Sequence, residues 1–154
     1  MKEARASSLV IEGYASLFGV EDMAGDVVRA GAFARSLMRG AGVGMLLQHM
    51  GGRTVGRWTA MREDGRGLFV RGLVTGETAA GQAALKLIGD GAMNGLSIGF
   101  IARDWSPRRS GHRAVRGREL REVELREVSL VTSPMLPGAR FAAAGGAQIL
   151  VRAA

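Results

Sequence analysis

Short runs of β-branched and aromatic residues recur along this chain, and glycine, present 24 times in 154 residues, cuts most of them off. That punctuation works against long helices and favours strands. "SSLVIEGYASLFG" (7–19) and "VGMLLQHM" (43–50) read as strands. "RTVGRWTAMRE" and "GLFVRGLVTG" predict a hairpin through "EDGRG", where Asp64-Gly65 is a turn signal. "GLSIGFIARDW" (95–105) and "RELREVELREVSLVTS" (118–133) give two more strands, linked by an Arg-rich connection over 106–117. A short strand is expected at Val27–Arg29. Helical spacing occurs in "GAFARSLMRG", with Phe33 and Leu37 four apart and a stop at Gly40. It occurs again in "ETAAGQAALKLIGDG", through Ala84, Leu85 and Ile88, with a stop at Gly89 or Gly91. The expectation is one α+β, mainly β, barrel-like domain over residues 1–139, followed by a low-complexity tail over 140–154.

Composition removes several classes of function. No apolar run reaches the roughly 18 residues of a membrane span, and "MKEARASSLVIEGY" lacks the apolar core of a secretory signal. A cytoplasmic protein is therefore expected. With no cysteine there can be no disulfide, thiolate metal site or cysteine nucleophile. The few acidic residues and absent cysteines show no metal-ligand spacing, so no metal is expected. The net charge of +7 could serve nucleic acid or an acidic protein partner. Aromatic residues make up only 5%, too few for obvious base-stacking platforms, so nucleic-acid binding is a subordinate reading.

"NGLSIGF" (94–100) spells Gly95-x-Ser97-x-Gly99, the pattern of a hydrolase nucleophile elbow. An elbow needs strand, sharp turn and helix, with a histidine last in the chain order. Here "IGFIARDW" continues as strand, and the histidine after Ser97 is His112, in a polar Arg/Gly loop. The elbow reading fails. In an extended segment Leu96, Ile98 and Phe100 share one side, while Gly95, Ser97 and Gly99 share the other. Two readings stay open for such a segment. The glycines could serve a bulge or bend with Ser97 a spectator, or they could clear a face on which its hydroxyl works.

The possible partners of a working serine are few. Of the two histidines, His49 shares its parity with Val43, Met45 and Leu47, which places it on an apolar face at a strand end. It is either a hydrogen-bonded core residue or a general base. Among the carboxylates, Glu122 and Glu124 share a solvated face with Arg126. Glu127 falls in the row of Val123, Leu125, Ser129 and Val131, where an ionised carboxylate is costly without a partner. That partner could be an arginine in a structural ion pair, or a catalytic imidazole.

The order His49, Ser97, Glu127 and the words around it resemble the prohead maturation proteases of tailed phages and gene transfer agents. These are similar in fold to the herpesvirus capsid proteases, the assemblins. The resemblance runs from about Glu12 to about Ala139 and rests on "EGYASLFG", "DVVRAGAFARSL", "LLQHM", "GLFVRGLV", "GAMNGLSIGF" and "LREVSLVTSPMLPGA". It implies an assemblin-like β-barrel core, with Ser97 as nucleophile, His49 as general base and Glu127 as third member. The herpesvirus relatives carry a second histidine in that third place. Where the family often has aspartate after the catalytic histidine, this chain has Met50. The implied substrates are the scaffold or the N-terminal scaffolding segment of the major capsid protein, and the protease itself, inside the assembling procapsid. The resemblance further implies a homodimer, no cofactor, and oxyanion donors in the loop from Thr132 to Arg140. The alternative is a non-catalytic assembly protein that keeps the protease fold.

Overall fold

The computed structural model describes residues 7–40 and 42–144. In chain order the elements are β1 (Ser8–Leu17), β2 (Val27–Val28), α1 (Ala34–Met38), β3 (Gly44–Leu46), β4 (Thr54–Glu63) and β5 (Gly67–Thr75). They continue with α2 (Ala79–Gly89), β6 (Gly95–Ser110), β7 (Arg113–Val131) and β8 (Phe141–Ala143). The strands form one sheet in the order β2-β7-β3-β4-β5-β1-β8, with β6 along the other edge of β7. β2 and β3 run parallel to β7, and the remaining pairs are antiparallel. The core lies on one side of this sheet, filled by Ile11, Phe33, Met45, Leu68, Val70, Leu96 and Leu130, all nearly or fully buried.

The protein is mainly β with two short helices, as the patterning predicts, but the mixed sheet is not closed into a barrel. The segment that would close it meets the start of β6 at the single bridge Gly95–Arg140, made by Leu96 N–H to Ala139 O and Phe141 N–H to Asn94 O, each 2.9 Å. That segment holds Pro134 and Pro137, which have no N–H to give a ladder.

Three elements differ from expectation. The strand expected over 43–50 stops at Leu46, because the chain then turns through Gln48 and His49, at φ 53° and 60°. The Arg-rich connection is not a loop, since β6 and β7 continue through it to a turn at Gly111–His112. The loop before β2 clasps the hairpin: Asp26 accepts the Arg118 backbone N–H at 2.8 Å and the guanidinium at 2.7 Å, and Glu21 lies 3.3 Å from Arg108. A Cβ on Gly117 would lie 1.9 Å from Gly25 O, so two backbones meet there. Lastly, β8 pairs with β1 inside the stretch assigned to the tail, because Phe141 is buried. The rest of that tail, from 145, lies outside the described residues.

Asp26 is 8% exposed, and its carboxylate, hydrogen-bonded to Arg118, raises the pKa of that guanidinium. Asp26→Ala strips partners from a part-buried N–H and a charge together, and should cost about 2 kcal/mol. Urea unfolding should show a lower midpoint at unchanged slope.

Candidate active site

β7 is flanked by β3 on one edge and β6 on the other, so three strands converge on its last residues. Gly44 of β3 lies opposite Glu127, and Leu47 bridges to Leu130. From β6, Gly99 lies opposite Glu127, and Ser97 opposite Ser129. Directly opposed residues share a face of the sheet, so Ser97, Gly99, Glu127 and Ser129 stand together. Leu96, Val128 and Leu130 point the other way, into the core.

Glu127 reaches this face by a route that the sequence pattern misreads. Gly99 pairs with Glu127 but Phe100 pairs with Leu125, which leaves Arg126 as the extra residue of a bulge. Beyond the bulge the core row of Val123 and Leu125 continues as Val128 and Leu130. Glu127 therefore leaves the apolar row in which simple alternation places it.

The glycines flanking Ser97 have separate steric causes. A Cβ on Gly99 would come within 2.5 Å of Glu127 Cγ and 3.0 Å of its Oε1. A Cβ on Gly95 would meet Pro134 Cδ and Val131 O at 2.8 Å. One glycine makes room for the carboxylate and the other for the loop that follows β7. Ser97 itself is 6% exposed, within a strand that runs on to Ser110.

His49 is not on an apolar strand face. It sits in the turn after β3 with its side chain 43% exposed, and its Nδ1 lies 2.5 Å from Glu127 Oε1. The same oxygen accepts the Ser129 hydroxyl at 3.0 Å. Two consecutive non-glycine residues with positive φ cost about 1–3 kcal/mol each and persist only where their surroundings hold them. Here Gln48 supplies the hold. Its N–H donates to Leu130 O at 2.9 Å, its Nε2 to Thr132 Oγ1 at 3.1 Å, and its Oε1 accepts Thr132 N–H at 3.2 Å.

The three residues singled out from sequence are thus gathered around the end of β7, with Glu127 bonded to His49. No hydrogen bond joins Ser97 to His49 among the described residues; without substrate, such bonds are often open. His112 is exposed at the hairpin turn, at the far end of β7. The loop from Thr132 to Arg140 passes beside Ser97, pressing Pro134 against Gly95 and anchoring Arg140 to Asn94 Oδ1 at 2.6 Å. Sequence reasoning missed Gln48 and Ser129. Ser129, polar within the apolar run "VSLV", carried a signal that could have flagged it. Gln48 carried none. Among the described residues, no group of three or more His, Asp or Glu could hold a metal ion, and no helix is long and apolar enough to cross a membrane.

The family model for the caudovirus prohead serine proteases matches residues 1–148. The chain is 35% identical over 140 residues to the prohead protease of Enterobacteria phage HK97, covering 87% of this chain and 59% of that protein. Among solved structures it is similar to a KSHV protease in complex with a hexapeptide phosphonate inhibitor. There the TM-score is 0.53 at 14% identity, covering 87% of this chain and 64% of that one. The chain thus spans less than two thirds of either relative's length.

Proposed function

The chain belongs to the caudovirus prohead serine protease family, and on that premise we propose that it is a serine endopeptidase of capsid maturation. Ser97 is the nucleophile, His49 the general base and Glu127 the residue that orients it. The observation that carries this reading is the 2.5 Å contact between His49 Nδ1 and Glu127 Oε1, on the sheet face that bears Ser97.

The chemistry follows from those atoms. With Nδ1–H donated to Glu127, the imidazole keeps its lone pair on Nε2 and can take the Ser97 proton as Oγ attacks a peptide carbonyl. The carboxylate stabilises the imidazolium that forms, and Nε2 then returns the proton to the leaving amine. The Ser129 hydroxyl donates to the same carboxylate oxygen and helps to fix it. Substrate binding closes the gap between Ser97 and His49. Backbone N–H groups of the loop from Thr132 to Arg140 receive the oxyanion, each worth about 3 kcal/mol.

The substrates are the scaffold or the N-terminal scaffolding segment of the major capsid protein, and the protease itself, cleaved inside the procapsid by a homodimer. A serine-directed fluorophosphonate tests the nucleophile: peptide mapping should find the adduct on Ser97. An active preparation that carries none would refute the assignment.

Gln48→Ala removes the amide contacts to Thr132 without touching Ser97, His49 or Glu127. It should lower kcat about 10-fold with little change in KM, because it disorders the base and not the substrate contacts. An unchanged kcat would show that the turn holds His49 without that side chain.

A further inference from the structure

The β6–β7 hairpin runs well past the core. From Arg103 to Glu119 neither strand gives a residue to the core, and from Arg109 to Arg116 every residue is exposed. Residues 105–118 hold five arginines and one histidine and no carboxylate. At the base of this stretch the charges are matched by the loop before β2. Arg118 pairs with Asp26 at 2.7 Å, while Arg108 lies 3.3 Å from Glu21 and donates to Gly25 O at 2.7 Å. Farther out, among the described residues, Arg109 and Arg113 make no hydrogen bond or ion pair, and the Arg116 guanidinium donates to the backbone oxygen of Met23.

Arg109 lies opposite Ala114, and Arg113 opposite Ser110. Opposed residues share a face and neighbours alternate, so the two arginines project from opposite faces of the ribbon tip. An acidic peptide lying along one face would reach one of them. A groove with phosphates on both walls meets both. The major groove of duplex DNA, about 12 Å wide, admits a two-stranded β-ribbon, and the guanidinium fork matches phosphate oxygens.

The other tip residues agree with that occupant. From Arg108 to Ala114 no apolar side chain is larger than alanine, so the tip lacks the aromatic or aliphatic anchor on which protein interfaces centre. Ser110, Gly111 and Ala114 let the backbone come close. The scarcity of aromatic residues that argues against base stacking leaves phosphate binding untouched. The clasp by Glu21 and Asp26 fixes the ribbon before it binds, which lowers the ordering cost.

We propose that the tip of this ribbon binds duplex nucleic acid, entering a groove with Arg109 and Arg113 on its two walls and holding phosphates rather than bases. This interaction goes beyond the protease reading and does not depend on Ser97.

The whole chain is titrated, by fluorescence anisotropy, into a short labelled DNA duplex of mixed sequence, one of its strands alone, and polyglutamate of matched charge. The duplex should bind most tightly. Two neutralised phosphates make the logarithm of affinity fall with that of salt at a slope of about −1.8, roughly a twelvefold loss between 50 and 200 mM. Arg109→Gln with Arg113→Gln should lose at least tenfold in duplex affinity at low salt and most of that slope, at an unchanged melting temperature. Arg57→Gln with Arg62→Gln removes the same charge from two exposed positions on β4 and should lose less than threefold. No duplex binding at 50 mM salt, or binding unmoved by the tip variant, overturns the proposal. So do equal losses in the two variants, which would reduce the effect to net charge. Tighter binding of the single strand or of polyglutamate overturns the assignment to a duplex groove.

Discussion

Replacing Ser97 with alanine should reduce peptide-bond cleavage by about 10⁴-fold or more, and His49→Ala should do nearly the same. A nucleophile and its base act as one unit, so loss of either costs almost as much as loss of both. Neither change threatens the fold. Ser97→Ala removes one oxygen from a strand whose other face carries the core contacts of Leu96 and Ile98. His49 stands in an exposed turn. Thermal unfolding should move by no more than a few degrees in either variant, and the double variant should be no slower than about either single one. Fully additive losses would mean that the two residues do not share a step.

Gly99→Ala should be the more revealing substitution. Alanine usually suits a strand better than glycine does, and on propensity alone it should be neutral or mildly stabilising. Here the new methyl would fall 2.5 Å from Glu127 Cγ and 2.8 Å from its Cδ. The atoms that can yield belong to a side chain and not to backbone, so the carboxylate should move while the strand stays. Displacing it frees the imidazole to take the wrong tautomer. Glu127→Gln should slow cleavage about 10²–10³-fold without ending it, since that residue orients the base and forms no bond to substrate. Gly99→Ala should fall in the same range, with kcat carrying the loss and the melting temperature nearly unchanged. If Gly99→Ala keeps full activity, Glu127 is not needed where the structure places it.

Much of the architecture was legible because hydrophobic patterning reports local structure. The hairpin through Asp64-Gly65 and the two helices follow the patterning, with α2 capped by Thr78, whose hydroxyl accepts the Gly81 N–H. What escaped depends on contacts distant in sequence. The strands over 106–117 pair with each other and are clasped by Glu21 on Arg108 and by Asp26 on the adjoining Arg118, and nothing in an Arg/Gly stretch announces carboxylates so far back in the chain. The barrel expected from the resemblance is not closed, because Pro134 and Pro137 occupy the segment that would join its ends.

The site shows the same division more sharply. Glu127 was singled out because alternation put it in an apolar row, yet the bulge at Arg126 takes it out of that row and onto the face of Ser97. His49 was placed on an apolar strand face, yet it projects from a strained turn held by Gln48. The spelling Gly-x-Ser-x-Gly suggested an elbow. The glycines instead clear space for Glu127 on one side and for Pro134 on the other. Residue identities could be read from the sequence, but the geometric reasons for them could not.

Co-expression with the major capsid protein of the same particle, followed by mass spectrometry of that protein's N-terminus, tests the protease reading most directly. Wild-type protein should remove the N-terminal scaffolding segment, while Ser97→Ala, present at equal level and folded, should leave it intact. Trimming that persists with Ser97→Ala would contradict the account.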